Sequence, residues 1–240
     1  MADKFFVTAV IVTHDGQTWL PQVIAALGSQ SRKVDRIIAV DTGSRDNSAK
    51  LLKSAGVSFS IEDREMGYGD AIAHALELSP RLYELSEREK QEEQQELLQP
   101  ELPEPRVQEE QDANKEKEEK EEWIWLIHDD CAPHKDALLH LLAAVEDRPQ
   151  TAIAGPKLRG WYDRNHLLEV GVSIASNGAR WTGLENHEQD QGQHDGIREV
   201  LAVSTAAALI RRSVFEELGG LDINLALFRD DIDLGWRARV

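Results

Sequence analysis

Residues 36–44 have the sequence RIIAVDTGS, a short apolar run followed by an aspartate and turn residues. The apolar, mostly β-branched side chains of residues 37–40 predict a strand that is buried on both faces of a parallel sheet. Asp41 ends this strand, and Gly43 with Ser44 predicts a turn. Because ligands of open α/β sheets bind outside the carboxyl ends of the strands, Asp41 lies where a ligand is expected.

The segments on either side alternate between strand and helix patterns. We predict further strands at residues 6–12, 57–61 and 123–127, and helices at 18–29, 46–55, 69–78, 135–146 and 213–218, with a last helix from about Asp230. Residues 200–210 also predict a strand, and residues 160–199 predict loops and short strands. This order predicts an α/β fold with a doubly wound, mostly parallel mixed sheet flanked by helices, including a Rossmann-like nucleotide-binding half.

Residues 81–122 interrupt the alternation with 16 acidic and 7 basic residues and three prolines. Such a segment cannot bury enough apolar surface to offset its chain entropy. We therefore predict a solvated, partly helical and mobile insertion.

The 240 residues carry a formal net charge of −17, and 41% of them are hydrophobic. An acidic chain does not bind nucleic acid through counterion release, which requires basic patches. The single cysteine, Cys131, excludes an intrachain disulfide and fits a reducing compartment. The sequence has no signal-peptide pattern. We expect a cytoplasmic piece of a longer protein, located at the inner face of the plasma membrane if regions outside these residues reach a membrane.

Carboxylates follow two of the predicted strands. Asp41 ends one, and Asp129 and Asp130 end another. Parallel strands bring these ends to one edge of the sheet, where unpaired charges would repel, so a cation or hydrogen-bond donors are needed. Mg²⁺ or Mn²⁺ bound to a diphosphate meets this need with few protein ligands. The alternative is that these aspartates only form turns.

A third acidic cluster contains Asp230, Asp231 and Asp233. Acidic residues at a helix start also complement the helix dipole, which is the alternative explanation of this cluster.

Six motifs in order resemble family 2 glycosyltransferases of the GT-A fold. They are VTHD at 12–15, IIAVDTGSRDNS at 37–48, EMGYG at 65–69, WLIHDD at 125–130, LIRR through GGLD at 209–222, and DDIDL at 230–234. The resemblance is nearest to actinobacterial galactofuranosyl- and rhamnosyltransferases. It implies one domain over residues 1–240, with a donor half at 1–130 and an acceptor half at 131–240.

The resemblance also implies an inverting, metal-dependent enzyme. It would move a sugar from a UDP- or dTDP-linked donor to a glycan or lipid-linked acceptor in cell-wall or surface polysaccharide synthesis. Asp231 would be the general base. The implied donor-binding residues are Thr13, Asp15, Asp41, Asp46, Arg64, Gly67 and Asp129.

Asp130 is implied as the principal ligand of Mn²⁺ or Mg²⁺, with His128 as a second ligand. His128 departs from the acidic D-x-D pattern of many relatives and offers less charge neutralisation. The acceptor-binding residues would be Asp230, Asp233 and Trp181, whose ring could stack on a sugar. Two alternatives remain open: a catalytically weak nucleotide-sugar-binding scaffold, and a sugar nucleotidyltransferase. The Gly-rich, basic amino-terminal loop that is typical of nucleotidyltransferases is missing from residues 10–17.

Overall fold

The structure is a computed structural model that describes residues 4–81, 120–225 and 229–240. The strands are β1 (Phe5–Thr13), β2 (Arg36–Asp41), β3 (Ser58–Ile61), β4 (Glu121–His128), β5 (Ile153–Ala154), β6 (Leu158–Arg159), β7 (Leu167–Glu169), β8 (Ser173–Ile174), β9 (Arg180–Trp181) and β10 (Leu209–Arg211). The helices are α1 (Leu20–Gly28), α2 (Ser48–Ser54), α3 (Tyr68–Glu77), α4 (Ala137–Glu146), α5 (Arg212–Glu217) and α6 (Asp230–Arg237).

Over the described ranges, the main sheet has the strand order β3-β2-β1-β4-β10-β5. Strands β3, β2, β1 and β4 run parallel, whereas β10 is antiparallel to both β4 and β5. Two short hairpins, β6–β7 and β8–β9, lie outside this sheet. The prediction of a doubly wound, mostly parallel mixed sheet is confirmed.

Helices cover both faces of the sheet because side chains alternate along the central strands. On β4, Trp123 and Trp125 are buried in a cluster with side chains of α1, α2 and α4. The intervening Ile124 and Leu126 are buried in a second cluster with side chains of α3, α5 and α6. A strand buried on both faces explains the nearly continuous apolar run of β4.

The strand register brings the predicted site residues to one edge. Thr13 at the end of β1 pairs with Asp41 at the end of β2, and Val12 pairs with His128 at the end of β4. The carboxyl ends of the central parallel strands therefore lie side by side, as the sequence predicts.

Two predicted boundaries were wrong. Residues 200–210 were expected to form one strand, but β10 covers only Leu209–Arg211, and Ala202 forms an isolated bridge with Val172. The intervening chain turns away because the Ser204 amide donates to the Glu169 carboxylate at 2.9 Å, which competes with strand pairing.

The acidic insertion was expected at residues 81–122, yet β4 begins at Glu121. Glu121 and Glu122 pair in register with Phe5 and Phe6, so two acidic residues of the predicted insertion belong to the sheet. Residues 82–119 of that insertion lie outside the described residues, and its predicted mobility stays a prediction. None of the described helices is long and apolar enough to cross a membrane.

Candidate functional site

The loops after β1 and β2 interlock through aspartate side chains. The Arg45 amide donates to Asp15 at 2.7 Å, and the Gln17 amide donates to Asp46 at 2.9 Å. The Asp15 amide also donates to the Ser44 hydroxyl at 2.9 Å. Each loop thus satisfies the backbone donors of the other, which fixes the shape of the sheet edge.

Asp41 is the last residue of β2 at this edge of the sheet, and it is 1% exposed. Its Oδ1 accepts a hydrogen bond from the Ser44 amide at 2.8 Å. Its Oδ2 is buried and has no hydrogen-bond partner among the described residues. An unsatisfied buried carboxylate oxygen is costly, so this atom is an unused acceptor at the sheet edge.

Arg64 crosses the rim of the edge. Its guanidinium forms an ion pair with Asp15 at 2.6 Å and donates to the Gly43 carbonyl at 2.9 Å. The hydrogen bond from Arg64, followed by that from the Arg45 amide, lowers the pKa of Asp15 to about 2. Gly43 has a φ of 69°, and a Cβ at this position would lie 3.0 Å from the Arg64 backbone nitrogen. The turn therefore requires glycine.

Asp129 joins β4 to the loop after β1. Its Oδ2 accepts hydrogen bonds from the Thr13 hydroxyl at 2.7 Å and from the His14 amide at 2.9 Å. Burial raises the pKa of this carboxyl, against the opposing effect of these two hydrogen bonds. A Cβ on Gly16 would lie 2.3 Å from Asp129 Oδ2, so only glycine leaves space for this arrangement.

His128 and Asp130 flank Asp129 and differ in environment. The His128 ring meets the Tyr68 ring edge-on at a centroid distance of 5.0 Å, and its Nε2 lies 3.3 Å from the Thr205 hydroxyl. Burial lowers the pKa of His128, so the imidazole is neutral at pH 7 and able to ligate a metal. The side chain of Asp130 is exposed.

The described residues contain no group of three or more His, Cys, Asp or Glu side chains arranged to hold a metal ion. Asp129 accepts both of its hydrogen bonds on Oδ2. The donors that the resemblance implies for a metal are the Asp130 carboxylate and the His128 imidazole. This donor set fits a Mg²⁺ or Mn²⁺ ion that takes most of its oxygens from phosphate and water. It does not form a complete protein cage.

The acidic cluster at the start of α6 lies near the strand ends. Burial and then the charge of Asp230 raise the pKa of the Tyr68 hydroxyl far above its ordinary range, and Asp129 adds a smaller effect of the same sign. The charges of carboxylates at the end of β4 and at the start of α6 therefore both act on the Tyr68 hydroxyl. Burial also raises the pKa of Asp230 itself.

Asp231 is 8% exposed and is bound on both sides. Its Oδ1 accepts from the Ile232 amide at 2.8 Å, and its Oδ2 accepts from Arg180 Nη2 at 3.0 Å. Arg180 also forms an ion pair with the buried Glu169. No motif in the sequence pointed to Arg180 or Glu169, since both lie in residues 160–199, which predict only loops and short strands.

Other predicted residues have mainly local contacts. Asp233 pairs with Arg237 one turn along α6 at 2.5 Å, and Arg237 also donates to the Leu218 and Gly220 carbonyls. Gly67 is the residue before α3, whose first turn follows it directly. Trp181 is 57% exposed on the β8–β9 hairpin. Asp233 therefore supports the fold, whereas Trp181 is accessible to a ligand.

Two family matches cover most of the sequence. Residues 88–240 match a family described as "Glycosyltransferase like family 2", and residues 8–80 match "Glycosyl transferase family 2". The chain belongs to glycosyltransferase family 2. Among curated proteins, no match to this family 2 chain was found.

Solved structures with the same architecture have low sequence identity to this family 2 chain. The mannosyltransferase PcManGT from Pyrobaculum calidifontis, in complex with GDP-Man and Mn²⁺, has a TM-score of 0.55 and 14% identity over 95% of this chain and 50% of its own. TarS 1-349 from S. aureus has a TM-score of 0.55 and 12% identity over 97% of this chain and 55% of its own. A complex of TarS 1-349 with UDP has a TM-score of 0.53.

At this identity the likeness shows the fold alone. The predicted GT-A fold is confirmed, and the family 2 chain spans about half the length of the solved structures that it matches. The roles of the individual residues stay predictions.

Proposed function

We propose that this family 2 domain is an inverting glycosyltransferase that transfers a sugar from a nucleotide-diphosphate sugar to a glycan or lipid-linked acceptor. One observation carries the proposal: Asp41 Oδ2, at the carboxyl edge of the sheet, is buried and has no hydrogen-bond partner in the part of the chain that the structure describes. The imide N–H of uracil or thymine is a donor that satisfies such an oxygen. Asp15 and Thr13 then border the base and ribose, and Asp129 faces the ribose or the sugar.

The diphosphate is proposed to lie between Arg64, Gly67 and Asp130. Arg64 carries a positive charge at the rim of the edge, where its guanidinium is held by the ion pair with Asp15 and by the hydrogen bond to the Gly43 carbonyl. Asp130 and His128 would hold Mn²⁺ or Mg²⁺, which would neutralise charge on the departing diphosphate when bound. The solved relative PcManGT contains GDP-Man and Mn²⁺, which supports this proposal by analogy.

On the acceptor side, Asp231 is proposed as the general base. Its carboxylate takes the proton of an acceptor hydroxyl while that oxygen forms a bond to the anomeric carbon. The bond from the anomeric carbon to the phosphate oxygen breaks, and its electrons leave with the nucleoside diphosphate. Attack from the face opposite the leaving group inverts the anomeric configuration. Asp230 and the exposed Trp181 would contact the acceptor.

The finer identity of the substrates is proposed from the sequence resemblance. UDP-galactofuranose and dTDP-rhamnose are the first donors to test, and a cell-wall or surface polysaccharide is the proposed product. A cytoplasmic reaction at the inner face of the plasma membrane is proposed on the same resemblance.

The test is isothermal titration of UDP, dTDP and GDP, with and without Mn²⁺, into the wild-type chain and Asp41→Asn. The asparagine retains an acceptor for the Ser44 amide but presents an NH₂ group at the other position. We expect the dissociation constant of the preferred nucleotide to rise at least about tenfold, which corresponds to ~1.4 kcal/mol. Asp147→Asn, an exposed aspartate after α4, is the matched control and should bind normally.

Equal affinity of wild type and Asp41→Asn would contradict the proposed base site. Transfer assays on the full-length protein then separate the remaining functions. Nucleotide binding without any transfer or donor hydrolysis would favour the scaffold, and release of pyrophosphate from a nucleoside triphosphate and a sugar phosphate would favour a nucleotidyltransferase.

A further inference from the structure

We infer that Arg180 is a positioning residue for Asp231, supplied by the β8–β9 hairpin and anchored by Glu169. The inference rests on the proposed role of Asp231 as general base. It adds a residue that lies far from every sequence motif of the site and that contacts the base directly.

The contacts fix the Asp231 carboxylate from two sides. Arg180 approaches Oδ2 through Nη2 at 3.0 Å and Nε at 3.3 Å, and the Ile232 amide approaches Oδ1 at 2.8 Å. Each carboxylate oxygen has two acceptor positions, so the two hydrogen bonds from Arg180 fill those of Oδ2, whereas Oδ1 retains one for a further partner. The side chain can therefore still accept a proton from a hydroxyl, but it cannot rotate without losing a charge-assisted hydrogen bond.

Arg180 is itself held in place by a buried anion. Its Nη2 pairs with Glu169 on β7, whose side chain is 8% exposed, as is that of Asp231. The other Glu169 oxygen accepts from the Ser204 amide at 2.9 Å, which ties the pair to the chain before β10. Two buried carboxylates thus share one guanidinium, and removing that cation would leave both uncompensated.

The backbone around the pair forms one packed unit. Val172, just before β8, exchanges two backbone hydrogen bonds with Ala202, at 2.8 and 3.1 Å. Both residues pack with Ile232 of α6 in a small apolar cluster. A Cβ on Gly235 of α6 would lie 2.4 Å from the Leu201 carbonyl oxygen, so the helix is in close contact with this segment. The hairpin that carries Arg180 is thereby fixed against the helix that carries Asp231.

The arrangement also distinguishes the two adjacent aspartates. Arg180 contacts Asp231, whereas Asp230 has no side-chain cation within hydrogen-bonding distance among the described residues, and burial raises its pKa. Neighbouring carboxylates placed in different environments take different roles in acid–base chemistry. The guanidinium therefore orients the carboxylate of Asp231 and not that of Asp230.

The test compares Arg180→Ala and Arg180→Lys with wild type in steady-state transfer and in nucleotide titration, on the full-length protein. We expect Arg180→Ala to lower kcat about 10- to 100-fold, because a misplaced catalytic group loses orientation. The dissociation constant for the nucleotide should change less than about twofold, since the substitution does not touch the donor edge, that is, the strand-end loops with Asp15, Asp41 and Arg64. Arg180→Lys should recover part of kcat, and added guanidinium should partly rescue Arg180→Ala. Arg148→Ala, an exposed arginine after α4, is the matched control and should keep wild-type kcat.

Full kcat in Arg180→Ala, while Asp231→Asn is inactive in the same assay, would overturn the inference and leave the proposed function intact. Equal losses of kcat and nucleotide affinity in both Arg180 variants, without guanidinium rescue, would also overturn it, because they indicate a general folding defect. Absence of wild-type transfer with every donor would instead contradict the proposed function, and with it the inference.

Discussion

At the ends of β1, β2 and β4, aspartates are held mainly by backbone amides of neighbouring loops, whereas Asp231 and Glu169 share one arginine side chain from a hairpin. Ser44, Arg45, Gln17 and His14 supply the amides of the donor edge. On the acceptor side, the guanidinium of Arg180 joins two buried carboxylates that are 62 positions apart in the chain. Loops that follow the parallel strands therefore organise the donor edge, whereas packing of the β8–β9 hairpin near α6 organises the acceptor side.

The largest effect is expected on the acceptor side. Asp231→Asn should lower the transfer rate about 10²–10⁴-fold, because the amide cannot take the proton of the acceptor hydroxyl. Nucleotide affinity should remain near wild type, since the donor edge keeps its own hydrogen bonds. Steady-state kinetics and nucleotide titration measure both quantities. An active Asp231→Asn would assign the base elsewhere, and lost nucleotide affinity would show that the two regions are not independent.

The donor edge is tested by Gly16→Ala. The added Cβ would lie 2.3 Å from Asp129 Oδ2 and 2.6 Å from Thr13 Oγ1, so the hydrogen bond between them must break or the loop must move. We expect a loss of about 1–3 kcal/mol in the free energy of unfolding, together with weaker nucleotide binding. Chemical denaturation and titration provide the measurements. Gly28→Ala is the matched control, because nothing lies within 4 Å of its Cβ, and it should be neutral or slightly stabilising. An equally stable Gly16→Ala would show that the edge is not rigidly packed.

The smallest effect concerns the rim of the donor edge. The pKa of Asp15 is lowered from 3.8 to about 2, chiefly by the hydrogen bond from Arg64. Because the folded pKa lies below the ordinary value, the contribution of this pair to stability is fully present above pH 3.8 and is lost as the pH falls through about 2. Carboxyl ¹³C NMR should give a midpoint near 2 for Asp15, moving toward 3.8 in Arg64→Gln. A midpoint near 3.8 in the wild type would show that the ion pair does not persist in solution.

Much of the donor edge could be predicted because its signals are local. An apolar run that stops at Asp41, and another that stops before Asp129, give both the strand and the position of the carboxylate. The parallel register then brings Thr13 beside Asp41 and Val12 beside His128. The hydrogen bond from Thr13 to Asp129 joins residues 116 positions apart, and it forms because β1 and β4 are adjacent strands.

Prediction failed where a local pattern had a competing long-range partner. Residues 200–210 have the composition of a strand, yet the Ser204 amide binds Glu169 and the chain turns. Glu121 and Glu122 belong by composition to the acidic insertion, yet pairing with β1 places them in the sheet. In both cases a tertiary contact outweighed the local preference.

The sequence by itself determined the alternation of strands and helices, the two-faced burial of the central strands, and the carboxylates at their ends, because side-chain periodicity and turn chemistry act over a few residues. Only the tertiary structure decided the surroundings of each carboxylate. Asp41 has a buried oxygen with no partner among the residues described, Asp129 accepts two hydrogen bonds, and Asp231 shares the guanidinium of Arg180. Hydrogen bonds and ion pairs depend on distances of about 3 Å. Those distances are set by how distant segments pack, and sequence spacing does not contain them.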